Sequence, residues 1–215
     1  MKLRKNNFTY EGMNQKNTSL LVIDVVNGCC HKKCEEIEWG ISFLKIRKMV
    51  PRLKDFIELY RKSFGGLIAF AKIVPWQKEF LTDNINELYK DPRAYYYSDD
   101  KTGFSEQFYL VEPQKGDFVF TKNHYDCFTN NGFIKELQGR KIRYLVVCGV
   151  FTDGCVLSTV VSGFSRGYNF IILKDLIETT DVKTRQELQK ILKKYTFPVM
   201  YGKTITSKQF LEEKH

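Results

Sequence analysis

The chain lacks the motifs that bind nucleotide cofactors. Its first apolar run is followed by Val25-Val26-Asn27-Gly28 and not by Gly-x-Gly-x-x-Gly, and no Gly-x-x-x-x-Gly-Lys-Ser/Thr phosphate loop occurs anywhere. Those loops cradle the phosphates of dinucleotides and nucleoside triphosphates. We therefore expect the protein to act without a cofactor.

The chain also lacks long apolar segments. No apolar run approaches the length that spans a bilayer, and the first residues lead into polar sequence without the apolar core of a signal peptide. We therefore expect no membrane partner and a cytoplasmic location. In that reducing compartment the six cysteines are expected to be free thiols.

Acidic residues are fewer than basic ones: 25 Asp and Glu against 34 Lys and Arg, for a formal charge of +9. A basic cluster would favour nucleic-acid phosphates. The basic residues are instead interleaved with acidic and apolar ones, as at Arg61-Lys62 and Lys193-Lys194. This spread is typical of solvated helix faces or of general attraction for anionic ligands, so we predict no nucleic-acid partner.

Short apolar runs alternate with helical periodicity, which predicts one α/β domain over residues 1–215 with a polar N-terminal extension at 1–17. A mostly parallel sheet with helices on both faces fits this alternation. The predicted strands are Ser19–Asp24, Leu67–Val74, Gly116–Lys122, Arg143–Cys148, Phe170–Leu173 and Pro198–Tyr201. The predicted helices are 42–62, kinked or broken at Pro51, 131–137, a helix after Cys155 that stops at Gly167, and 182–194.

Cys155 follows a buried strand and a tight turn at the predicted start of a helix. Thr152 or Asp153 can cap that helix, and the positive end of its dipole would lower the thiol pKa and favour a thiolate nucleophile. The alternative is that Cys155 is a small, buried apolar residue.

Three predicted strands end at Asp24, at Lys122 and at the Cys155 turn, and a parallel sheet places such ends on one edge. The acid can accept the thiol proton while the ammonium stabilises the ionised pair. The alternative is a structural salt bridge between Asp24 and Lys122.

Cys29, Cys30, His31 and Cys34 form a dense set of soft-metal ligands, and His124 with Cys127 is the candidate second ligand pair. The alternative, which we favour, is that these residues line a loop and pocket, with no metal site. Residues 91–103 are rich in turn-forming and aromatic residues, which fits a pocket lid or a cover for the core.

The motifs Leu21–Asn27, Gly116–Lys122 followed by Tyr125–Phe128, and Cys148–Val156 occur together in this order. In this combination the chain resembles the isochorismatase-like cysteine hydrolases, the superfamily that includes nicotinamidases and N-carbamoylsarcosine amidase.

The resemblance implies a Rossmann-like three-layer α/β/α sandwich around a six-stranded sheet of order 3-2-1-4-5-6. It implies a catalytic triad of Asp24 as base, Lys122 as electrostatic partner and Cys155 as nucleophile. It also implies a cis peptide between Val150 and Phe151, with the backbone N–H groups of Phe151 and Cys155 directed at an oxyanion.

The activity that the resemblance implies is hydrolysis of a C–N bond in a small amide, ureido or imide substrate through a thioester. A catalytically silent binding protein and a vinyl-ether hydrolase are the alternatives. Where nicotinamidases carry metal ligands, this chain reads Ala71–Gln77, so we predict no metal there. Homo-oligomers are common in the superfamily, so we expect this chain to form one. The candidate residues for binding a small-molecule substrate are Asn27, Lys72, Trp76 and Tyr125.

Overall fold

The computed structural model describes residues 10–73, 81–88, 90–91, 100 and 102–213. Six strands form one sheet, and every pairing between them is parallel: β1 Thr18–Ile23, β2 Leu67–Ile73, β3 Phe118–Lys122, β4 Tyr144–Val150, β5 Asn169–Glu178 and β6 Gly202–Ile205. Their order is β3-β2-β1-β4-β5-β6, which confirms the predicted topology.

Helices connect the strands and flank the sheet. They are α1 Asn27–Cys30, α2 Leu44–Ser63, α3 Asp83–Leu88, α4 Asn131–Gly139, α5 Leu157–Ser165, α6 Lys183–Ile191 and α7 Ser207–Glu212. Short 3₁₀ turns occur at Lys32–Cys34, Ile37–Trp39 and Cys127–Thr129, and π-helical segments at Thr152–Val156 and Leu192–Tyr201. None of the helices in the described ranges is long and apolar enough to cross a membrane.

The centre of the sheet is buried on both faces, because every residue of β1 and β4 is buried. This burial explains why both strands are continuous apolar runs. Gly149 faces Ile23 across this pair with φ of +115°. A Cβ at Gly149 would lie 2.1 Å from the Ile23 carbonyl oxygen, so only glycine permits this approach.

Aromatic packing joins helices to the sheet. Phe133 of α4 stacks on Phe120 of β3 with ring centroids 4.4 Å apart. Phe210 of α7 contacts Phe56 and Tyr60 of α2, at centroid distances of 5.9 and 6.0 Å. These contacts bury large apolar surfaces and hold the strand ends in fixed positions.

The last predicted strand is wrong, since Pro198–Tyr201 is helical and β6 begins at Gly202. Val199 and Met200 are more than half exposed, which a π-helical turn at the surface allows and a buried strand would not. α6 itself ends at Ile191 and continues into that π-helical segment.

The predicted break at Pro51 is also wrong, because α2 runs without interruption from Leu44 to Ser63. Pro51 lies on the exposed side of the helix. Solvent can satisfy the carbonyl that proline leaves without a donor there. The predicted stop of α5 is confirmed, since the helix ends at Ser165 and Gly167 has φ of +88°.

The described part of the N-terminal segment is tied to the sheet. The Tyr10 hydroxyl donates to the Phe170 carbonyl at 2.8 Å, and Met13 is buried. The Asn17 carbonyl accepts from the N–H groups of Arg143 and Tyr144. Most of the predicted lid, 91–103, lies outside the described residues, as does Trp76.

Candidate active site

A carboxylate, an ammonium and a thiol meet at the carboxyl edge of the sheet. Lys122, the last residue of β3, has its Nζ 2.7 Å from Asp24 Oδ2 and 3.3 Å from Cys155 Sγ. Asp24 directly follows β1, and Cys155 lies in the turn after β4. The three side chains that the sequence singled out are therefore in direct contact.

Asp24 adopts a backbone conformation that is unusual for a non-glycine residue. Its φ is +52°, in the left-handed region, and its N–H donates to the Ala71 carbonyl at 3.1 Å. Aspartate tolerates this region better than most residues, although it costs free energy. Strain of this kind concentrates at functional sites, where the surrounding fold imposes it.

Lys122 is held by three acceptors in a site with no solvent access to its side chain. Besides Asp24 and Cys155, its Nζ donates to the His124 carbonyl oxygen at 3.0 Å. Burial alone would lower the pKa of Lys122, but the charge of Asp24 and its hydrogen bond to the ammonium raise it above its ordinary range. The side chain therefore remains a cation at neutral pH.

The Cys155 thiol is only 5% exposed, and its pKa lies well above that of a free thiol. Burial is the largest cause and the Asp24 charge the next, while Lys122 opposes both. The predicted lowering by a helix start is therefore wrong. The resting site holds a neutral thiol beside the Asp24–Lys122 salt bridge.

The predicted caps of the Cys155 turn are wrong as well. The π-helical turn follows Phe151 without a side-chain cap. The Thr152 hydroxyl donates to Gln189 Oε1 at 3.2 Å, and the Asp153 carboxylate binds Arg185. Both side chains thus point towards α6, which a local helix-start pattern cannot reveal.

The peptide bond between Val150 and Phe151 is cis, as predicted. The turn closes on the Phe151 carbonyl oxygen, which accepts from the N–H groups of Gly154 at 3.0 Å and Val156 at 3.1 Å. The use of the Phe151 and Cys155 N–H groups by an oxyanion stays a prediction.

Two of the candidate substrate-binding residues lie within three residues of Asp24 and Lys122 along the chain. Asn27 is buried at the start of α1, where its Nδ2 donates to the Phe104 carbonyl at 3.0 Å. Tyr125 is half-buried and makes an edge contact with His124 at 5.5 Å. Asn27 therefore fastens the segment around Phe104 to the strand end that carries Asp24.

Lys72 is the candidate that the structure does not bring to the triad. Its Nζ lies 5.4 Å from the centre of the Phe108 ring. In the β2–β3 register Lys72 pairs with Thr121 and Ile73 pairs with Lys122. Because neighbouring residues of a strand alternate in direction, Lys72 and Lys122 leave the sheet on opposite faces.

The cysteine-rich segment after β1 forms α1 and the following 3₁₀ turn, and its Cys30 lies near Asp24. Within the described ranges, no group of three or more His, Cys, Asp and Glu side chains is placed to hold a metal ion. His31 Nδ1 accepts from the Lys33 N–H at 3.0 Å. Cys30 is fully buried, and burial and the Asp24 charge raise its pKa well above the usual range.

A second buried thiol, Cys127, lies on the Lys122 side of the site. Its backbone N–H donates to Thr159 Oγ1 at 3.1 Å. Burial raises its pKa to about 12, against the opposing charge of Lys122. Both neighbouring thiols are therefore neutral at physiological pH and unsuited to replace Cys155 as nucleophile.

The chain belongs to the isochorismatase family of hydrolases, since the isochorismatase domain matches residues 18–204. The isochorismatase family protein YwoC of Bacillus subtilis strain 168 is 24% identical over 196 residues, 91% of this chain and 93% of YwoC. Ureidoacrylate amidohydrolase RutB of Azorhizobium caulinodans is 46% identical over 65 residues, which are 30% of this chain and 29% of RutB.

Solved structures share the fold. A cysteine hydrolase from Pseudomonas syringae pv. phaseolicola 1448A superposes with a TM-score of 0.76 at 20% identity, covering 93% of this chain and 92% of that one. N-carbamoylsarcosine amidase from Thermoplasma acidophilum gives a TM-score of 0.62 at 22% identity, covering 94% and 99%.

Proposed function

We propose that the protein is a cysteine-dependent hydrolase that cleaves a C–N bond in a small amide, ureido or imide compound. The observation that carries this proposal is the buried contact of Lys122 with both Asp24 and Cys155, at 2.7 and 3.3 Å. A purely structural salt bridge between Asp24 and Lys122 does not require a thiol in contact with the same ammonium.

The reaction begins from the neutral thiol. Asp24 accepts the Cys155 proton as the sulfur attacks the substrate carbonyl carbon, and Lys122 stabilises the thiolate as it forms. The carbonyl oxygen becomes an oxyanion, which the N–H groups of Phe151 and Cys155 stabilise. Asp24 then returns the proton to the departing nitrogen, and ammonia or an amine leaves.

The product of this first half is a thioester on Cys155. Water attacks its carbonyl carbon while Asp24 accepts a proton, the C–S bond breaks, and the sulfur recovers its proton as the acid departs. Because the raised pKa of Cys155 keeps the free thiolate scarce, the transfer of its proton to Asp24 has to accompany the attack.

The choice of C–N hydrolysis is supported by the relatives. RutB is named as a ureidoacrylate amidohydrolase, and a structure with the same fold is an N-carbamoylsarcosine amidase. Both names describe hydrolysis of small ureido compounds. Ureido compounds are therefore the first substrates to test.

The test is ammonia release from ureidoacrylate and N-carbamoylsarcosine by the wild-type protein and two cysteine variants. We expect release by the wild type and by Cys148→Ala, and none by Cys155→Ala. Cys148 is a matched control, since it is a fully buried thiol of β4. Release that survives in Cys155→Ala would contradict the proposal.

The same assay separates the alternatives. A vinyl-ether hydrolase would cleave isochorismate without releasing ammonia or an amine. A silent binding protein would bind a ureido ligand in calorimetry without hydrolysing it. The low exposure of the Cys155 thiol is compatible with that alternative.

A further inference from the structure

Side chains of α6 form hydrogen bonds with the turn that carries Cys155. The Asp153 carboxylate accepts two hydrogen bonds from one guanidinium, at 2.7 Å from Arg185 Nε and 2.8 Å from Arg185 Nη2. The Thr179 hydroxyl, just beyond β5, donates to the same carboxylate at 2.5 Å. A bidentate pair of this kind fixes orientation as well as distance.

The same guanidinium contacts the residue at the start of the turn. The Arg185 guanidinium carbon lies 4.8 Å from the centre of the Phe151 ring, and this ring also packs near Phe43 at 6.0 Å. Arg185 therefore touches Phe151 and Asp153, the two residues on either side of Thr152.

α6 supplies a second support. Gln189 is one helical turn after Arg185, so both side chains leave the same face of the helix. Gln189 Oε1 accepts from the Thr152 hydroxyl at 3.2 Å. Its amide nitrogen donates to Glu178 and to Gln186, which prevents the amide from rotating away.

Arg185 also directs the Asp153 carboxylate. An acid at this place in a turn can cap the N–H group two residues later, which here belongs to Cys155. The Asp153 oxygens instead accept from Arg185 and Thr179. The Asp153 carboxylate therefore does not cap the Cys155 N–H, the group that we assign to the oxyanion.

We propose that Arg185 is a positioning residue that acts through Asp153 and Phe151 to aim the backbone N–H groups of the Phe151–Cys155 turn at the reacting carbonyl oxygen. This inference rests on the proposed function, since it assumes that Cys155 attacks a carbonyl carbon. It assigns to α6 a part in transition-state stabilisation that goes beyond packing.

Two probes of Cys155 separate positioning from simple reactivity. With p-nitrophenyl acetate, the sulfur bonds to the acetyl carbon, Asp24 takes the thiol proton and p-nitrophenolate leaves, so an oxyanion forms on the way. With iodoacetamide, the sulfur displaces iodide at a saturated carbon and no oxyanion forms. The ratio of the acylation rate to the alkylation rate therefore reports on the oxyanion donors alone.

We expect Arg185→Met to lower this ratio by about 10-fold or more, because one misplaced oxyanion donor costs on the order of 100-fold in rate. Arg185→Lys should restore part of the ratio, since it keeps the positive charge but loses the bidentate contact with Asp153. The matched control is Arg61→Met, which removes another bidentate pair, Arg61 with Asp117 at 2.7 and 2.5 Å. Its ratio should equal that of the wild type.

Two results would overturn the inference. If Arg185→Met has the wild-type ratio, the contacts of Arg185 with Asp153 and Phe151 do not position the donors. If the ratio falls equally in Arg61→Met, the cause is a general loss of stability. If circular dichroism shows that Arg185→Met is unfolded, the ratio of Arg185→Lys decides in the same way. A wild-type protein that is alkylated but never acylated would instead defeat the proposed function itself.

Discussion

The two ends of β3 carry ion pairs of the same chemistry in different surroundings. At the start of the strand, Asp117 binds Arg61 through two hydrogen bonds and also accepts from the Gln114 N–H at 2.7 Å. At its end, Lys122 binds Asp24 with no solvent access to either side chain, whereas the Arg61 side chain remains 17% exposed.

The difference between these ends is in how the charges are satisfied. Asp117 lies just before the strand, where its oxygens accept hydrogen bonds from the Arg61 guanidinium and the Gln114 N–H. Asp24 lies in the interior beside a thiol, and desolvation of such a pair can exceed the gain from its attraction. The first arrangement stabilises the strand, while the second maintains a base and a cation next to a nucleophile.

The largest expected difference follows from removing the cation at each end. Lys122→Met leaves Asp24 buried without a partner, and we expect a loss of about 3 to 5 kcal/mol in the free energy of unfolding. Arg61→Met leaves Asp117 with its backbone donor beside the partly exposed space that the arginine filled, which water can enter, so we expect about 1 to 2 kcal/mol. Urea denaturation of both variants measures the difference, and equal losses would break the comparison.

A similar contrast applies to two glycines, one near the site and one remote from it. Gly149→Ala places a methyl group against the Ile23 carbonyl, so we expect a loss of about 3 kcal/mol. Gly167→Ala meets no atom within 4 Å and is strained only by its φ of +88°, so about 1 kcal/mol is expected. Thermal unfolding of both variants ranks the two positions, and the reverse order would refute this view of the β1–β4 contact.

The smallest expected effect concerns acid stability. Burial would raise the pKa of Asp153, but its hydrogen bonds and the charge of Arg185 lower it. The stability that Asp153 adds is therefore present above the unfolded pKa of about 4 and is lost as pH falls through the folded pKa. Asp153→Asn should lose less stability than the wild type between pH 5 and pH 2, in urea titrations at about those values.

Acid sensitivity that is the same in both proteins would show that Asp153 carries no depressed pKa.

Sequence patterns located the reacting groups because buried parallel strands read as apolar runs, and the residue after each run lies at one edge of the sheet. They missed β6, since Gly202–Ile205 is half-buried and has no apolar run, whereas the apolar Pro198–Tyr201 is helical. Local patterns also cannot predict the ion pair between Arg185 and Asp153, which are 32 positions apart.

The sign of the Cys155 pKa shift was missed for the same reason. A helix start is visible in the local sequence, but burial and the charge of Asp24 arise from the packing of distant strands. Those two effects outweigh the opposing charge of Lys122.

The coupling of Asp24 to Cys155 is tested most directly by the pH dependence of Cys155 alkylation with iodoacetamide, followed by intact mass. Because the Asp24 charge raises the thiol pKa, Asp24→Asn should move the midpoint to lower pH than in the wild type, while Asp117→Asn leaves it unchanged. The same midpoint in all three proteins would contradict a catalytic unit at this end of β3.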